Sequence, residues 1–338
     1  MSIKKATIAL GLGFCLVASS GAEEYDNTAR DTEPFSCRTD GRIYAPRSAS
    51  IVIDAQSGEI LSGDRIDEQR YPASMTKMMT AALIFDALRN GRLRLDDKIT
   101  VTLSKDTLNT RGNSRSTWLH PGEQITVEEA ILAITVASAN NVSVLMAEKL
   151  AGSESGFVAF MNKKAREIGM TRTVFKNSTG LPDKGQRSTA RDMAKLALHL
   201  YRKYPEYYHF FSAPKAEFGS WRGGRAKYNH NRLAVENKQI DGLKTGFICD
   251  SGYNLAASAV NGPYRTISIV FGGRTPYSRN EVAATLLQEG LATLRSRAGR
   301  NEVADKGRNG YVHDNEQMNM AELKGNMLMP PSKEKYQP

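Results

Sequence analysis

From Ser74 to Leu88 the chain is apolar around most of a helical circumference: Met75, Met78, Met79, Ala82, Leu83, Phe85 and Leu88 leave little room for a solvent face. A helix of that kind is buried, so it marks the middle of a core that the other elements must surround. Gly91 supplies its stop. Changes of period on either side say what does the surrounding. Ser50–Asp54 and Glu59–Leu61 read as two short strands about the turn Ala55-Gln56-Ser57-Gly58. Three further β-type runs lie near the other end, Gly242–Phe247, Asn254–Val260 and Thr266–Phe271, with Asn261-Gly262 as a hairpin turn between the last two. The middle is helical. One helix opens at Thr126, where Thr126-x-x-Glu129 has the capping-box spacing, and runs to the polar break Ser138–Asn141. Val142–Ala151, Gly156–Ile168 and Thr189–Arg202 follow, and an amphipathic helix of about Arg279–Leu294 closes the periodic text. The expected fold class is therefore α/β: an antiparallel sheet built from both chain ends, with flanking helices and an inserted all-α subdomain.

The two ends of the chain read differently from this body. Lys4 and Lys5, the apolar run Ala6–Ala18 and the small residues Ser19–Ala22 have the order of a secretory signal peptide over residues 1–22, too short an apolar run to span a membrane comfortably. A buried N-terminal helix is the alternative. Cys15 follows Phe14, where a lipid attachment signal wants a small residue. Residues 23–48 are a polar leader, and the folded domain is expected over 49–297. In the tail, 298–338, only four Leu, Ile, Val or Phe fall among the last 38 residues, which predicts disorder. Gly325 and Pro330-Pro331 interrupt its apolar positions and no basic face accompanies them, so membrane attachment is not expected.

Charge narrows the partners without choosing one. With 46 Lys and Arg against 36 Asp and Glu, the formal charge of +10 suits an anionic partner such as nucleic acid, acidic lipid, a wall polymer or a carboxylate substrate. Nucleic acid is not expected, because Tyr201-Arg202-Lys203-Tyr204 and Trp221–Arg225 are the only places where aromatic and basic residues interleave. Five scattered histidines and the distant Cys37 and Cys249 offer no ligand cluster, so neither metal nor other cofactor is expected. In an oxidising compartment those two cysteines permit one disulfide, although nothing in the sequence brings them within reach.

Three short blocks carry chemistry. Ser74-Met75-Thr76-Lys77 sets a hydroxyl and an amine one turn apart on one helix face, close enough to share a proton. Unpaired N–H groups and the positive dipole end at a helix start suit a serine that becomes an acyl centre. Burial among Met75, Met78 and Met79 disfavours the ammonium form of Lys77, as a general base requires. An exposed lysine on a helix surface is the plainer alternative. Ser138-Ala139-Asn140 separates two helices: either Ser138, Asn140 or Asn141 caps the next one, or Ser138 passes a proton to a leaving group while Asn140 donates to a substrate backbone. Lys244-Thr245-Gly246 lies in a β run, where an inward lysine needs an anion and a glycine lets a ligand come close, or else the run is a solvated edge strand. Ser-x-x-Lys, Ser-x-Asn and Lys-Thr-Gly in this order, each on the element its role needs, form a specific signal.

At these blocks the chain resembles the serine D-alanyl-D-alanine carboxypeptidases, the low-molecular-mass penicillin-binding proteins. Tyr71–Thr80, Ala137–Asn141, Phe175–Leu181, Ser188–Ala194 and Asp241–Phe247 are similar to that family's blocks, and the likeness covers roughly Ala49 to Leu294. The resemblance implies a β-lactamase and DD-peptidase-like fold and an exported enzyme of the periplasmic or cell-wall space. It implies that Ser74 forms the acyl-enzyme, Lys77 accepts its proton and Ser138 relays a proton to the departing D-alanine. Asn140 would contact the substrate backbone, Lys244 and Thr245 would hold its terminal carboxylate, Gly246 would admit it, and the N–H groups of Ser74 and Phe247 would form the oxyanion hole. The implied partners are peptidoglycan stem peptides ending in D-Ala-D-Ala and the β-lactams that mimic them. Two readings compete: a DD-endopeptidase that cuts cross-links with the same residues, and a non-hydrolytic penicillin- or wall-binding module. A β-lactamase is disfavoured, since Glu167 falls on a polar helix face and Asp183 is the only free carboxylate between Asn177 and Ser188.

Overall fold

The computed structural model describes residues 48–102, 119, 121–217 and 227–309, with side chains through residue 300. The signal segment, all but the last residue of the leader, the tail beyond Asn309, Cys15, Cys37 and Trp221–Arg225 lie outside the described residues. In chain order the elements are β1 (Ala49–Asp54), β2 (Ile60–Asp64), a 3₁₀ turn (Ala73–Thr76) running into α1 (Lys77–Arg89), the short strands β3 (Lys98–Thr100) and β4 (Gln124–Thr126), α2 (Val127–Thr135), α3 (Asn140–Ala151), α4 (Glu154–Glu167) and α5 (Ala190–Lys203). A 3₁₀ segment (Pro205–Phe211), β5 (Lys215–Ala216), β6 (Lys227–Tyr228), α6 (Arg232–Glu236), β7 (Ile240–Ile248), β8 (Gly252–Asn261), β9 (Tyr264–Gly273) and α7 (Pro276–Asn309) complete the order.

Both chain ends enter one five-stranded sheet of order β2-β1-β9-β8-β7, antiparallel throughout. β1 sits beside β9 with Ile51 opposite Ile269, so the first strand of the domain is paired on one side by its own hairpin and on the other by the last strand. Period-two alternation assigns the faces. Ile267, Ile269 and Phe271 of β9 join the large core around α1, while Val270 joins Leu255, Ala257 and Ala259 of β8 under Ala283, Leu287 and Leu291 of α7. The sheet is therefore covered by α7 on one face and by the helical subdomain on the other. α1 is the middle of that subdomain, with Met78, Met79, Ile84 and Phe85 fully buried, as its apolar circumference predicts.

Local rules account for most boundaries. The capping box at Thr126 is formed, its hydroxyl accepting from the Glu129 N–H while the Glu129 carboxylate accepts from the Thr126 N–H. Gly262 closes the β8–β9 hairpin at φ +58°. Three features differ from expectation. The segment expected to be helical from Ser74 begins as a 3₁₀ turn, and the α-helix starts at Lys77. The helix after the polar break begins at Asn140 with Ala139 as its N-cap and no side-chain cap, so Ser138, Asn140 and Asn141 are not capping residues. The last helix starts before Arg279 and continues past Leu294 to Asn309, across the expected domain boundary at 297. The pairs β3–β4 and β5–β6 carry no periodic signal because strands of two or three residues are too short to show one. Among the described residues no helix is long and apolar enough to cross a membrane.

Candidate active site

Two glycines press neighbouring backbone onto the turn that carries Ser74. A Cβ on Gly180 would stand 1.9 Å from the Ala73 carbonyl oxygen and 2.8 Å from the Ser74 nitrogen, and Gly180 has φ +84°. A Cβ on Gly246 of β7 would stand 2.8 Å from the Pro72 oxygen and 3.1 Å from the Met75 nitrogen. The turn is thus clasped between a loop and a strand at contacts only glycine permits. Ala73, between them, is held at φ +48°, a strained conformation for a residue with a Cβ. From β8, Asn254 donates its amide to the Tyr71 carbonyl at 3.0 Å and ties down the start of the turn. Ser74 is half-buried while Ala73, Met75, Thr76 and Lys77 around it are buried.

Lys77 lies at the head of α1 with no exposed surface. Its Nζ donates to Asn140 Oδ1 at 2.7 Å and to the Thr179 carbonyl at 2.5 Å, and stands 3.2 Å from Ser74 Oγ. Two carbonyl oxygens thus hold the Lys77 amine against the serine hydroxyl, within hydrogen-bond distance of Oγ. The Asn140 amide therefore does a task besides the expected one: its oxygen holds Lys77, and its nitrogen makes no hydrogen bond within the described residues.

On the far side, Lys244 of β7 is 2% exposed and donates to Ser138 Oγ at 3.0 Å and to the Thr245 carbonyl at 3.0 Å. β7 is the edge of the sheet, yet this lysine points inward, so the solvated-edge reading does not hold for Lys244. Ser138 is 2% exposed and sits at φ +57°, bent into the left-handed region, where its hydroxyl meets Lys244. Gly246 makes the close approach just described, and Phe247 stacks on Tyr253 with centroids 4.4 Å apart. Ser74, Lys77, Ser138, Asn140, Lys244, Thr245, Gly246 and Phe247 are all brought to one place.

Elsewhere the structure separates groups. Glu167 pairs with Lys164, which also holds Asp86 at 2.9 Å toward the opposite end of α1 from Ser74. Asp183 accepts from the Gly185 N–H in its own turn. Neither carboxylate stands at the serine. Cys249 is disulfide-bonded and so is not a free thiol. Among the described residues no group of three His, Cys, Asp or Glu side chains is placed to hold a metal ion. The sequence reading missed the Thr179 carbonyl, because a backbone oxygen leaves no signature of its own. Its only trace is the block Phe175–Leu181.

A serine and lysine at the head of a buried helix, a Ser-x-Asn turn beside them and an inward edge-strand lysine opposite, on an antiparallel sheet assembled from both chain ends, define the β-lactamase-like class of the penicillin-binding DD-peptidases. Residues 40–275 match the family model described as D-alanyl-D-alanine carboxypeptidase (peptidase S11). The chain belongs to that family. It is 38% identical over 255 residues to the D-alanyl-D-alanine carboxypeptidase DacF of Bacillus subtilis, a match covering 74% of this chain and 63% of the relative, so this chain spans under two thirds of that protein. Penicillin-binding protein 5 of Haemophilus influenzae superposes with a TM-score of 0.69 at 34% identity, covering 74% of this chain and 72% of that one. Penicillin-binding protein D2 of Listeria monocytogenes, solved in an ampicillin-bound form, superposes with a TM-score of 0.62 at 28% identity, over 72% of this chain and 96% of that one.

Proposed function

We propose that the protein is an exported serine D-Ala-D-Ala carboxypeptidase, acting in the periplasmic or cell-wall space, that removes the terminal D-alanine from peptidoglycan stem pentapeptides. The observation that carries the reading is Lys77: a fully buried amine within hydrogen-bond distance of Ser74 Oγ, held there by Asn140 Oδ1 and the Thr179 carbonyl. So placed, Lys77 removes the hydroxyl proton as Ser74 attacks the carbonyl of the D-Ala-D-Ala bond. The N–H groups of Ser74 and Phe247 stabilise the oxyanion, and Ser138 passes a proton to the departing amine. Lys244, next to Ser138, supplies the positive charge for the substrate's terminal carboxylate together with Thr245, while the Asn140 amide nitrogen is left for the substrate backbone. Water then releases the acyl group and restores Ser74. A β-lactam presents a strained amide in the same position and acylates the same serine, in keeping with the ampicillin-bound form of the Listeria relative.

The test is a digest of a muropeptide mixture that contains pentapeptide monomers and cross-linked dimers, by the protein and by Ser74→Ala, read by mass spectrometry. Loss of one D-alanine from the pentapeptides with the protein and none with Ser74→Ala is expected. Ser74→Ala should also lose labelling by a fluorescent penicillin while its unfolding free energy stays within about 1 kcal/mol of wild type, since one hydroxyl is removed from a half-buried site. Dimers converted to monomers with pentapeptides untouched would make the protein an endopeptidase. No change in either substrate would make it a binding module.

A further inference from the structure

The loop after α4 lays two carbonyls on α1. The Ser178 carbonyl accepts from the Thr80 hydroxyl at 2.7 Å and the Thr179 carbonyl from Lys77 Nζ at 2.5 Å, and Thr80 lies one turn beyond Lys77 on the same helix. The turn is braced internally by Asn177, whose Oδ1 accepts from the Gly180 N–H at 2.7 Å. From behind it is held by Glu154, in the first turn of α4. One carboxylate oxygen, Oε1, accepts from both the backbone N–H of Ser178 at 2.8 Å and its hydroxyl at 2.6 Å. These are charge-assisted bonds to a residue with no exposed surface. The origin of Glu154 is itself fixed. Ser153 caps the helix by accepting from the Gly156 N–H, Phe157 and Met161 anchor it in the core, and Asn162 grips both backbone groups of Phe175, three residues before Ser178.

We infer that Glu154 is a positioning residue for the acylation step, acting through Ser178 to keep the Thr179 carbonyl on Lys77. The inference rests on the reading of Ser74 as nucleophile and Lys77 as its base. Two carbonyl oxygens hold the amine beside Ser74: that of Asn140 comes from the head of α3, and that of Thr179 stays in place only while its loop is held. Without Glu154 the buried Ser178 N–H and hydroxyl lose their acceptor, the 178–179 peptide shifts to find another, and the Nζ rotor is freed. Glu154 touches neither Ser74 nor Lys244, so the step it governs is bond formation rather than capture of the ligand.

Stopped-flow acylation by a fluorescent penicillin separates the two quantities, giving the limiting acylation rate constant and the half-saturating concentration. Glu154→Ala is expected to lower the rate constant by about 10- to 100-fold, the scale at which small misplacements act, and to leave the half-saturating concentration unchanged. Glu154→Gln keeps an oxygen acceptor at the same reach and is expected to return the rate to within a few-fold of wild type. A wild-type rate in Glu154→Ala overturns the inference. So do equal losses in both variants accompanied by a raised half-saturating concentration, which mark a general loosening. Should Glu154→Ala not fold, Ser178→Ala carries the test: it removes one of the two donors, a several-fold fall in the same rate constant is expected, and a wild-type rate overturns the inference. A wild-type protein that is not acylated at all refutes the Ser74 and Lys77 assignment, and this inference with it, whereas an acylated wild type with an indifferent Glu154 refutes only the positioning role.

Discussion

At the scale of single residues, the site is built from side chains chosen for chemistry and from glycines chosen for the lack of one. Gly180 shows the second kind most directly. An alanine there has to displace the Ala73 carbonyl from 1.9 Å and adopt φ near +84°. Left-handed strain alone costs about 1–3 kcal/mol. Gly180→Ala is expected to lower the unfolding free energy by at least that much and to slow penicillin acylation in the molecules that remain folded; denaturant titration and the labelling rate read the two effects, and a variant unchanged in both would refute the close packing. The side chains of the first kind were legible in the sequence as candidates, since Ser74, Lys77, Ser138, Asn140, Lys244 and Thr245 belong to blocks that residue type and spacing single out. The Thr179 carbonyl and Glu154 were not. A carbonyl is the same at every position, and a glutamate at a helix start already has a sufficient reason to be there in the helix dipole.

Among elements, the junction of α1, α4 and α5 carries a titratable group outside the site. Tyr204, at the end of α5, donates its hydroxyl to Asp86 of α1 at 2.8 Å, and Lys164 of α4 meets the same carboxylate. His199 of α5 lies against Tyr204, edge to face, with Nε2 at 3.4 Å from the tyrosine hydroxyl. Burial, and next the Lys164 ammonium, hold its pKa below the usual 6.5; Lys203 adds to this, and Asp86 and Glu167 oppose it. A histidine whose folded pKa is depressed binds its proton more readily in the unfolded chain. The stability it contributes is complete above about pH 6.5 and is lost as pH falls through the folded pKa, at about 1.4 kcal/mol for each unit between the two. The thermal midpoint is thus expected to fall between pH 7.5 and 5.5, and His199→Gln to flatten that fall; equal slopes would remove His199 as its source. The helices themselves were readable from apolar period and caps, with one instructive exception. The Ser138–Asn141 break looked like a capping turn, but no side chain caps α3 because Ser138 and Asn140 are turned to Lys244 and Lys77 instead.

For the molecule as a whole, the order of strands and helices along the chain pointed to a sheet closed from both ends, and the pairing of β1 with β9 realises it. One apolar cluster runs from Ile51 and Ile269 in the sheet through Met78 and Phe85 in α1 to Ile131, Val142 and Leu200 in the surrounding helices. Sheet and helical subdomain therefore share a core and are expected to unfold as one unit: helical circular dichroism and the capacity for penicillin labelling should be lost with the same denaturant midpoint. Two separated transitions would show that the subdomain stands alone. The sequence by itself determined the long strands and helices, the buried central helix and the residue types of the three blocks, because period and residue type are local properties. Only the tertiary structure decided strand order, register and the contacts that define the site. Lys77 finds its acceptors 63 and 102 positions away, and contacts of that separation are set by how whole elements pack rather than by any spacing along the chain.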